Sequence, residues 1–263
     1  MQLIKSLWAY RGFILGSVKR EFQSKYQNSM LGALWNVLNP LAMIVVYTVI
    51  FSQVMRAKLP GVDSSLGYSI FLCAGVLTWG LFSEITTRSQ TVFLENANLL
   101  KKISFPKLCL PIIVILNALL NFSIVFTLFI LFLGLSSNFP GWPFLALIPI
   151  LLIIIGFAVG LGMVLGVLNV FFRDVGQFFG IFISFWFWLT PIVYPISILP
   201  TFGQDWMAYN PLAPLLGAVQ SVLVQGLWPN WLALSYPAIL GGLLCILGWR
   251  LFRKRSGEMV DEL

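Results

Sequence analysis

Ile150-Leu-Leu-Ile-Ile-Ile-Gly-Phe157 is the stretch that decides the fold. It belongs to a run of 65 residues, between Lys107 and Arg173, that contains no Asp, Glu, Lys or Arg. A charge near the centre of a bilayer costs several kcal/mol, so a charge-free run of this length predicts segments that cross a membrane. Strands of a membrane barrel would alternate apolar and polar residues, whereas this stretch is continuously apolar, which predicts helices.

Four further charge-free runs flank this one, and the whole chain of 263 residues is 59% hydrophobic and only 10% charged. Soluble domains carry about 25% charged residues, so a soluble protein is excluded. A span needs about 20 residues, and the 65-residue run therefore holds two spans joined by turn-forming residues. We predict an all-α polytopic membrane protein with six transmembrane helices, at residues 34–55, 67–87, 110–135, 144–170, 176–197 and 231–250.

The basic residues are distributed unevenly over the ends and connections of these six helices. Fourteen of the 16 Lys and Arg residues fall on one side, and only Arg56 and Lys58 fall on the other. The positive-inside rule therefore places the N- and C-termini in the cytoplasm. A seventh span at 212–227 would break this pattern. We predict instead that residues 198–230 form an external, re-entrant segment before the last helix, stabilised by packing against protein.

The predicted organisation is a single membrane domain over residues 1–263. Residues 31–255 form its six-helix region, and residues 256–263 form a cytoplasmic tail. Residues 1–30 show no cleavable signal peptide. Because apolar and basic residues separate onto different faces of a helix there, we expect an N-terminal interfacial helix on the cytoplasmic surface. An ordinary solvated leader is the alternative.

The sequence contains few features that indicate a catalytic site. The chain has no His, which is the commonest general base and metal ligand. No Lys follows a Gly, so the phosphate-binding loop of many nucleotide hydrolases is absent. Cys73, Cys109 and Cys245 show no metal-binding spacing and are interpreted as packing residues. We predict no catalytic residue, no metal site and, because the basic residues follow the membrane topology, no nucleic-acid partner.

Motifs spread over almost the whole chain resemble those of one family. They include Lys19-Arg-Glu-Phe22, Asn39-Pro-Leu41, Phe105-Pro-Lys107, Asn169-Val-Phe-Phe-Arg-Asp-Val175, and Pro191-Ile-Val-Tyr-Pro195 followed by Asn210-Pro211. In this order, on a frame of six spans, they resemble the polysaccharide-exporting permeases among type 2 ABC transporters. Gln220 and Lys25 stand where Arg is common in that family, so the choice between O-antigen, capsule and teichoic acid stays open.

The resemblance implies a transporter subunit of a bacterial inner membrane rather than an enzyme. Such a subunit forms a homodimer and binds two copies of an ABC ATPase, which holds the ATP and Mg, so no cofactor is expected in this chain. The cargo would be an undecaprenyl-diphosphate-linked glycan, with O-antigen preferred, and membrane lipids would surround the helices. Two alternatives are an ABC-2 permease for small hydrophobic drugs or lipids, and a membrane-embedded transferase acting on lipid-linked sugars.

Residues 88–109, a predicted cytoplasmic loop, are the first candidate for docking the ATPase. Apolar residues are interspersed with polar ones there, as in a short amphipathic helix. Such a helix could seat Phe93, Leu99, Leu100 and Ile103 in a groove of the ATPase. A surface loop with incidental apolar residues is the alternative.

Residues 169–175, the connection between the fourth and fifth spans, are the second docking candidate. Asn169 is expected to cap a helix, and the neighbouring Arg173 and Asp174 to satisfy one another at the membrane surface. The family resemblance adds a possible ATPase contact at Arg173 and Asp174.

The fifth span is rich in aromatic residues, and three of them share a helical face through i, i+4, i+7 spacing. Stacked rings could hold sugars weakly through their apolar faces, as aromatic side chains hold successive bases. We predict a substrate path at Tyr47, Phe178, Phe182, Phe185 and Trp186. Helix packing and an interfacial aromatic belt are the alternative explanation.

Lys25 and Arg88 are the candidates for contact with the pyrophosphate of a lipid-linked substrate. Topology signalling and attraction to anionic lipids explain such basic residues equally well. For Arg88, an i, i+4 ion pair with Glu84 at the end of the second span is the preferred interpretation.

Overall fold

The computed structural model describes residues 8–24, 34–50, 66–102 and 105–262. Those residues form helices and connections, without a β-strand among them. The helices are α1 (Arg11–Ser24), α2 (Trp35–Thr48), α3 (Gly67–Glu95), α4 (Ala97–Lys102), α5 (Cys109–Leu135), α6 (Leu147–Phe171), α7 (Asp174–Trp188), α8 (Thr201–Met207), α9 (Leu212–Gln225), α10 (Trp231–Arg255) and α11 (Met259–Glu262). A 3₁₀ turn, Trp142–Ala146, leads into α6.

Helix α6 lies at the centre of the bundle, between α3 and α10. Its glycines allow both neighbours to approach closely. A Cβ at Gly160 would lie 2.6 Å from the backbone N of Cys245 in α10, and one at Gly162 would lie 2.6 Å from Cβ of Ser89 in α3. Because lipid tails are as apolar as the helices, close packing through small residues is what favours helix association in a membrane.

Among the described residues, four helices are long and apolar enough to span a membrane: Gly67–Glu95, Cys109–Leu135, Trp142–Phe171 and Trp231–Arg255. They agree with four of the six predicted spans. Of the first predicted span, 34–55, the structure describes residues 34–50, where Leu38–Thr48 is a shorter apolar helix. The total of six spans and the placement of both termini in the cytoplasm stay predictions.

The fifth predicted span is shorter than expected. It was predicted over 176–197, but α7 ends at Trp188 and the chain then continues through bends. The reason is Pro191 and Pro195, since proline lacks the N–H that a continuing helix would use. The α-helical part of the predicted span is therefore limited to residues 176–188.

Segment 198–230 contains α8 and α9, which meet at an angle of 100°. Helices bent in this way form either a re-entrant loop, which the sequence predicts, or a broken span. One face of α9 is buried by the bundle. Its Leu215, Val219 and Val222 belong to the larger of the buried apolar clusters, here named the main core. The C-terminus of α9 reaches the α5–α6 connection, where a Cβ at Gly226 would lie 3.1 Å from the carbonyl oxygen of Pro140.

Residues from six helices, α3, α4, α5, α6, α10 and α11, meet at the opposite end of the bundle in a separate apolar cluster, here named the Phe93 cluster. Its buried members are Val92, Phe93, Leu100, Leu110, Val114, Met163, Val167, Val170, Phe252 and Met259. The C-terminal ends of α6 and α10 both lie in this cluster. Because α10 itself runs along the bundle toward the cluster, the chain from the end of α6 to the start of α10 returns to the other end of the bundle.

Helix α1 confirms that the N-terminal region forms a helix with one apolar side. Ile14 and Val18 are buried against Cys109 and Ile113 at the start of α5. The rest of the predicted interfacial region, residues 1–7 and 25–30, lies outside the described residues.

Candidate transport path and docking surfaces

Helix α7 presents a row of aromatic rings. Phe178 and Phe182 stack with centroids 6.2 Å apart, and Phe182 and Trp186 follow at 5.2 Å. Phe178 is 71% exposed and Phe185 is 64% exposed. Four of the five predicted path residues are thus on one helix, and the rings of Phe178 and Phe185 are largely uncovered in the single chain.

An apolar cavity of about 690 Å³ adjoins this row, between α6, α7 and α10. Phe178, Phe182 and Trp186 line it on one side, and Leu161 and Leu244 line it on the other. The aromatic row therefore borders open apolar space as well as the outer surface of the chain.

Trp186 also has a structural role. Its ring makes edge contacts with Trp79 and Phe82 of α3, and its Nε1 donates a hydrogen bond to Asn210 Oδ1 at 3.1 Å. Tyr47, the fifth predicted path residue, is half-buried on α2 and packs against the main core. Trp186 thus anchors the row, whereas Phe178 and Phe185 form its exposed part.

The broken backbone after α7 is held by side-chain donors from three different elements. The Tyr68 hydroxyl donates to the carbonyl oxygen of Val193 at 2.6 Å, and Gln220 Nε2 donates to that of Ile192 at 3.1 Å. Asn210 Nδ2 donates to the carbonyl oxygen of Leu189 at 3.2 Å. In hydrocarbon an unsatisfied carbonyl costs several kcal/mol, so such donors are what allow a helix to break at membrane depth.

Gln220 is the central donor of this group. Its side chain is buried in α9, and its Nε2 also lies 3.4 Å from the carbonyl oxygen of Phe71 in α3. Gly75 makes room for it, because a Cβ at that position would lie 2.6 Å from Gln220 Nε2. Sequence reasoning identified Gln220 only as a departure from the family pattern. It missed the hydrogen-bonding role of Gln220, Asn210 and Tyr68, because their partners are distant in sequence.

Arg88 lies in a polar network between α1, α3 and α5. It forms an ion pair with Glu21 of α1 and a looser one with Glu84, at 3.6 Å. Asn117 donates to Glu21, and Asn121 Nδ2 donates to Glu84 Oε1 at 2.8 Å. The i, i+4 pair expected from the sequence is confirmed, and Glu21 is a partner that sequence reasoning missed.

The role of Arg88 and Lys25 in binding pyrophosphate stays a prediction. Two carboxylates hold Arg88 in this structure, so an anion would have to compete with them. Lys25 lies outside the described residues.

The apolar residues of the predicted docking segment point inward. Phe93 is 0% exposed and Leu100 is buried with it in the Phe93 cluster, while Leu99 is half-buried. The expectation that Phe93 and Leu100 enter a groove of the partner is therefore wrong, because this chain's own core already covers them. Ile103 lies outside the described residues.

Polar groups form the outer face of this segment. A short helix does occur there, as predicted, and α4 exposes Asn98, Lys101 and Lys102, preceded by the exposed Glu95. Any partner that docks on α4 therefore meets a polar, mainly cationic surface.

The connection between α6 and α7 also differs from expectation. Asn169 lies inside α6 rather than at a helix start, and its Nδ2 donates to the carbonyl oxygen of Gln90 at 3.1 Å. Helix α7 has Arg173 at its N-cap without a side-chain cap bond. Arg173 and Asp174 are both exposed, and no ion pair between them occurs among the described residues.

No group of three His, Cys, Asp or Glu residues that could hold a metal occurs in the described part of the chain. Cys73 and Cys109 are buried as packing residues, and Cys245 Sγ donates to the carbonyl oxygen of Gly156 at 3.1 Å.

A helix broken at membrane depth is tolerated where the break is buried in protein or adjoins a cavity, and such breaks recur in transporters. The architecture defines a multi-pass membrane protein of the transporter class.

Comparison with known proteins narrows that class. The chain belongs to the ABC-2 type transporter family, whose model matches residues 14–224. The chain is 29% identical to an O-antigen export system permease protein of Myxococcus xanthus, over the full length of both chains. It is 31% identical to one of Klebsiella pneumoniae, over 93% of this chain and 92% of that one.

A more distant relative is the polysialic acid transport protein KpsM of Escherichia coli. It is 22% identical over 92% of this chain and 93% of its own length. Members of this family are membrane subunits of transporters, so the protein is a multi-pass inner-membrane transporter subunit rather than an enzyme.

Proposed function

We propose that this chain is the permease subunit of an ATP-driven exporter that moves a lipid-linked polysaccharide across the inner membrane. The observation that carries the proposal is the match to O-antigen export permeases over more than nine tenths of both chains. O-antigen is preferred because the relatives with this name are more similar than the polysialic acid transporter. The cargo would be a glycan on undecaprenyl diphosphate.

Two copies of the chain are proposed to form the path between them. Several aromatic rings on α7 are exposed in the single chain, notably those of Phe178 and Phe185, and the exposed Ile181 and Trp188 lie on the same helix. A second copy facing this surface would convert it into the wall of a route. Rings on both walls could contact the apolar faces of successive sugars, each weakly enough to let the chain slide.

Two copies of an ABC ATPase are proposed to dock at the end of the bundle that contains the Phe93 cluster. The exposed face of α4 offers Asn98, Lys101 and Lys102, which fits an acidic surface on the partner. Arg173 and Asp174 are exposed on the adjoining connection and complete the proposed contact. ATP and Mg would be bound by the ATPase.

The lipid pyrophosphate is proposed to bind near Arg88 and Lys25. Arg88 lies on α3 and is one third exposed despite its ion pairs. A pyrophosphate could replace Glu21 as its partner, because both offer anionic oxygens to the guanidinium. This exchange would release α1 from α3 while substrate enters.

The experiment is deletion of the gene in a strain with no paralogue, followed by staining of the surface polysaccharide. We expect loss of surface glycan and accumulation of lipid-linked glycan inside the cell, both reversed by the wild-type gene. Normal surface glycan would refute the proposal. If glycan display were normal and sensitivity to hydrophobic drugs increased, a permease for small hydrophobic compounds would be the better assignment.

A further inference from the structure

Helix α11 folds back onto the docking end of the bundle. Met259, its first residue, is 0% exposed and belongs to the Phe93 cluster. The helix contacts α4 and the C-terminal part of α6. A residue predicted to lie in a solvated tail is thus among the most buried in the described chain.

Three further contacts hold the segment that leads into α11. Lys107 Nζ donates to the carbonyl oxygen of Ser256, and Arg255 forms an ion pair with Glu258. The Arg255 guanidinium also lies over the ring of Phe171, 5.7 Å from its centroid. These contacts fix the turn after α10, which directs Met259 into the cluster.

Helix α4 needs support of this kind. It has six residues, and isolated helices shorter than about 12 residues are marginal in water. Only Leu100 of α4 is fully buried, and it lies in the same cluster as Met259. The side of α4 that faces the protein is therefore covered in part by α11, while its cationic side is left for a partner.

We propose that residues 256–262 act as a clasp that holds α4 in position for the ATPase subunit, with Met259 as its positioning residue. This inference rests on the proposed function. A docking helix that is ordered before binding loses less conformational entropy on association. Through the clasp, a force on α4 is also transmitted to α6, which α11 contacts, and to α10, which precedes α11 in the chain.

The experiment compares three variants of the full permease, each coexpressed with its cognate ATPase. Met259→Asp places a carboxylate in the apolar cluster, Met259→Leu keeps an apolar side chain, and Glu262→Gln changes an exposed residue of the same helix. Copurification measures ATPase binding, and amide hydrogen exchange over residues 97–102 measures the order of α4. Exchange over residues 147–158, the part of α6 outside the Phe93 cluster, reports on the rest of the bundle.

For Met259→Asp we expect about tenfold weaker ATPase binding and faster exchange in residues 97–102, with unchanged exchange in residues 147–158. Met259→Leu and Glu262→Gln should behave as wild type. Unchanged binding and exchange in Met259→Asp would overturn the clasp. If the Asp variant fails to insert, a chain stopped after Gly257 removes α11 without burying a charge and must show the same two effects.

A variant with both Lys101→Glu and Lys102→Glu tests the docking proposal independently of the clasp. Loss of ATPase binding in this pair, with normal binding in Met259→Asp, would refute the clasp alone. Normal binding in the charge-reversal pair would refute docking at α4.

Discussion

Helix α6 and the α7–α9 region solve the same problem in different ways. Helix α6 is apolar enough to span the membrane, and the α7–α9 region packs beside it, so the backbone polar groups of both need partners inside the protein. Helix α6 satisfies its own backbone over 25 residues and is fixed by close packing at glycines. After Trp188 the backbone is irregular, and side chains of Tyr68, Asn210 and Gln220 provide the hydrogen bonds.

The two regions differ in how easily each can change its conformation. Helix α6 has one arrangement, because displacing its neighbours would open voids along a tightly packed contact. A region held by a few side-chain hydrogen bonds can exchange these bonds for others at modest cost. We therefore predict that α6 is the fixed frame of the transporter and that α7–α9 is the part that moves.

Substitution at Gly160 is the largest expected effect. In Gly160→Val the new Cβ would lie 2.6 Å from the Cys245 backbone N, and backbone cannot move aside as a flexible side chain can. We expect a loss of about 3 kcal/mol of stability, measured by thermal unfolding in detergent. Gly156→Val is the matched control on the same helix, since nothing lies within 4 Å of its Cβ position. Equal stability of the two variants would contradict the fixed-frame role of α6.

Gln220→Leu tests the mobile region. The substitution keeps an apolar side chain of similar size but leaves the carbonyl oxygen of Ile192 unpaired, at a cost of about 1–3 kcal/mol. We expect faster hydrogen exchange in residues 189–195, reduced export, and a melting temperature lowered less than in Gly160→Val. Gln225→Leu, at an exposed position on the same helix, is the control. Unchanged exchange in the Gln220 variant would show that this hydrogen bond does not hold the break.

The apolar spans and the ion pair between Glu84 and Arg88 could be predicted from the sequence, because each depends on residues that are close together in the chain. The cost of charge in a bilayer marks the apolar runs, and Glu84 and Arg88 are one helical turn apart. Glu21, which is 67 residues from Arg88, could not be predicted as its partner. Phe93 was misassigned because an apolar face looks the same whether it meets a partner or the chain's own core.

Glu21→Gln should have a smaller effect on stability than either substitution above. The ion pair between Glu21 and Arg88 is partly exposed, and such pairs contribute at most about 1 kcal/mol. We expect α1 to become more accessible to protease while the bundle keeps its melting temperature. Glu258→Gln removes an ion pair at the other end of the chain and should leave α1 protected. An unchanged cleavage rate of α1 would mean that apolar contacts of Ile14 and Val18 hold it without the ion pair.

Of the four substitutions, Phe178→Ala should change stability least and still reduce transport. It therefore tests whether the transport path is separate from the α6 frame. Its ring is 71% exposed in the single chain, so truncation removes little packing within the protomer, and we expect a change within about 0.5 kcal/mol. Export should fall if the ring contacts the moving glycan, as measured by surface glycan per permease molecule. Phe202→Ala, at an equally exposed ring on α8, is the control and should export normally. If both variants export normally, the exposed rings of α7 serve the membrane or the second copy rather than the sugar. In that case neither Phe178 on α7 nor Phe202 on α8 would take part in transport, and the path would have to lie elsewhere in the bundle.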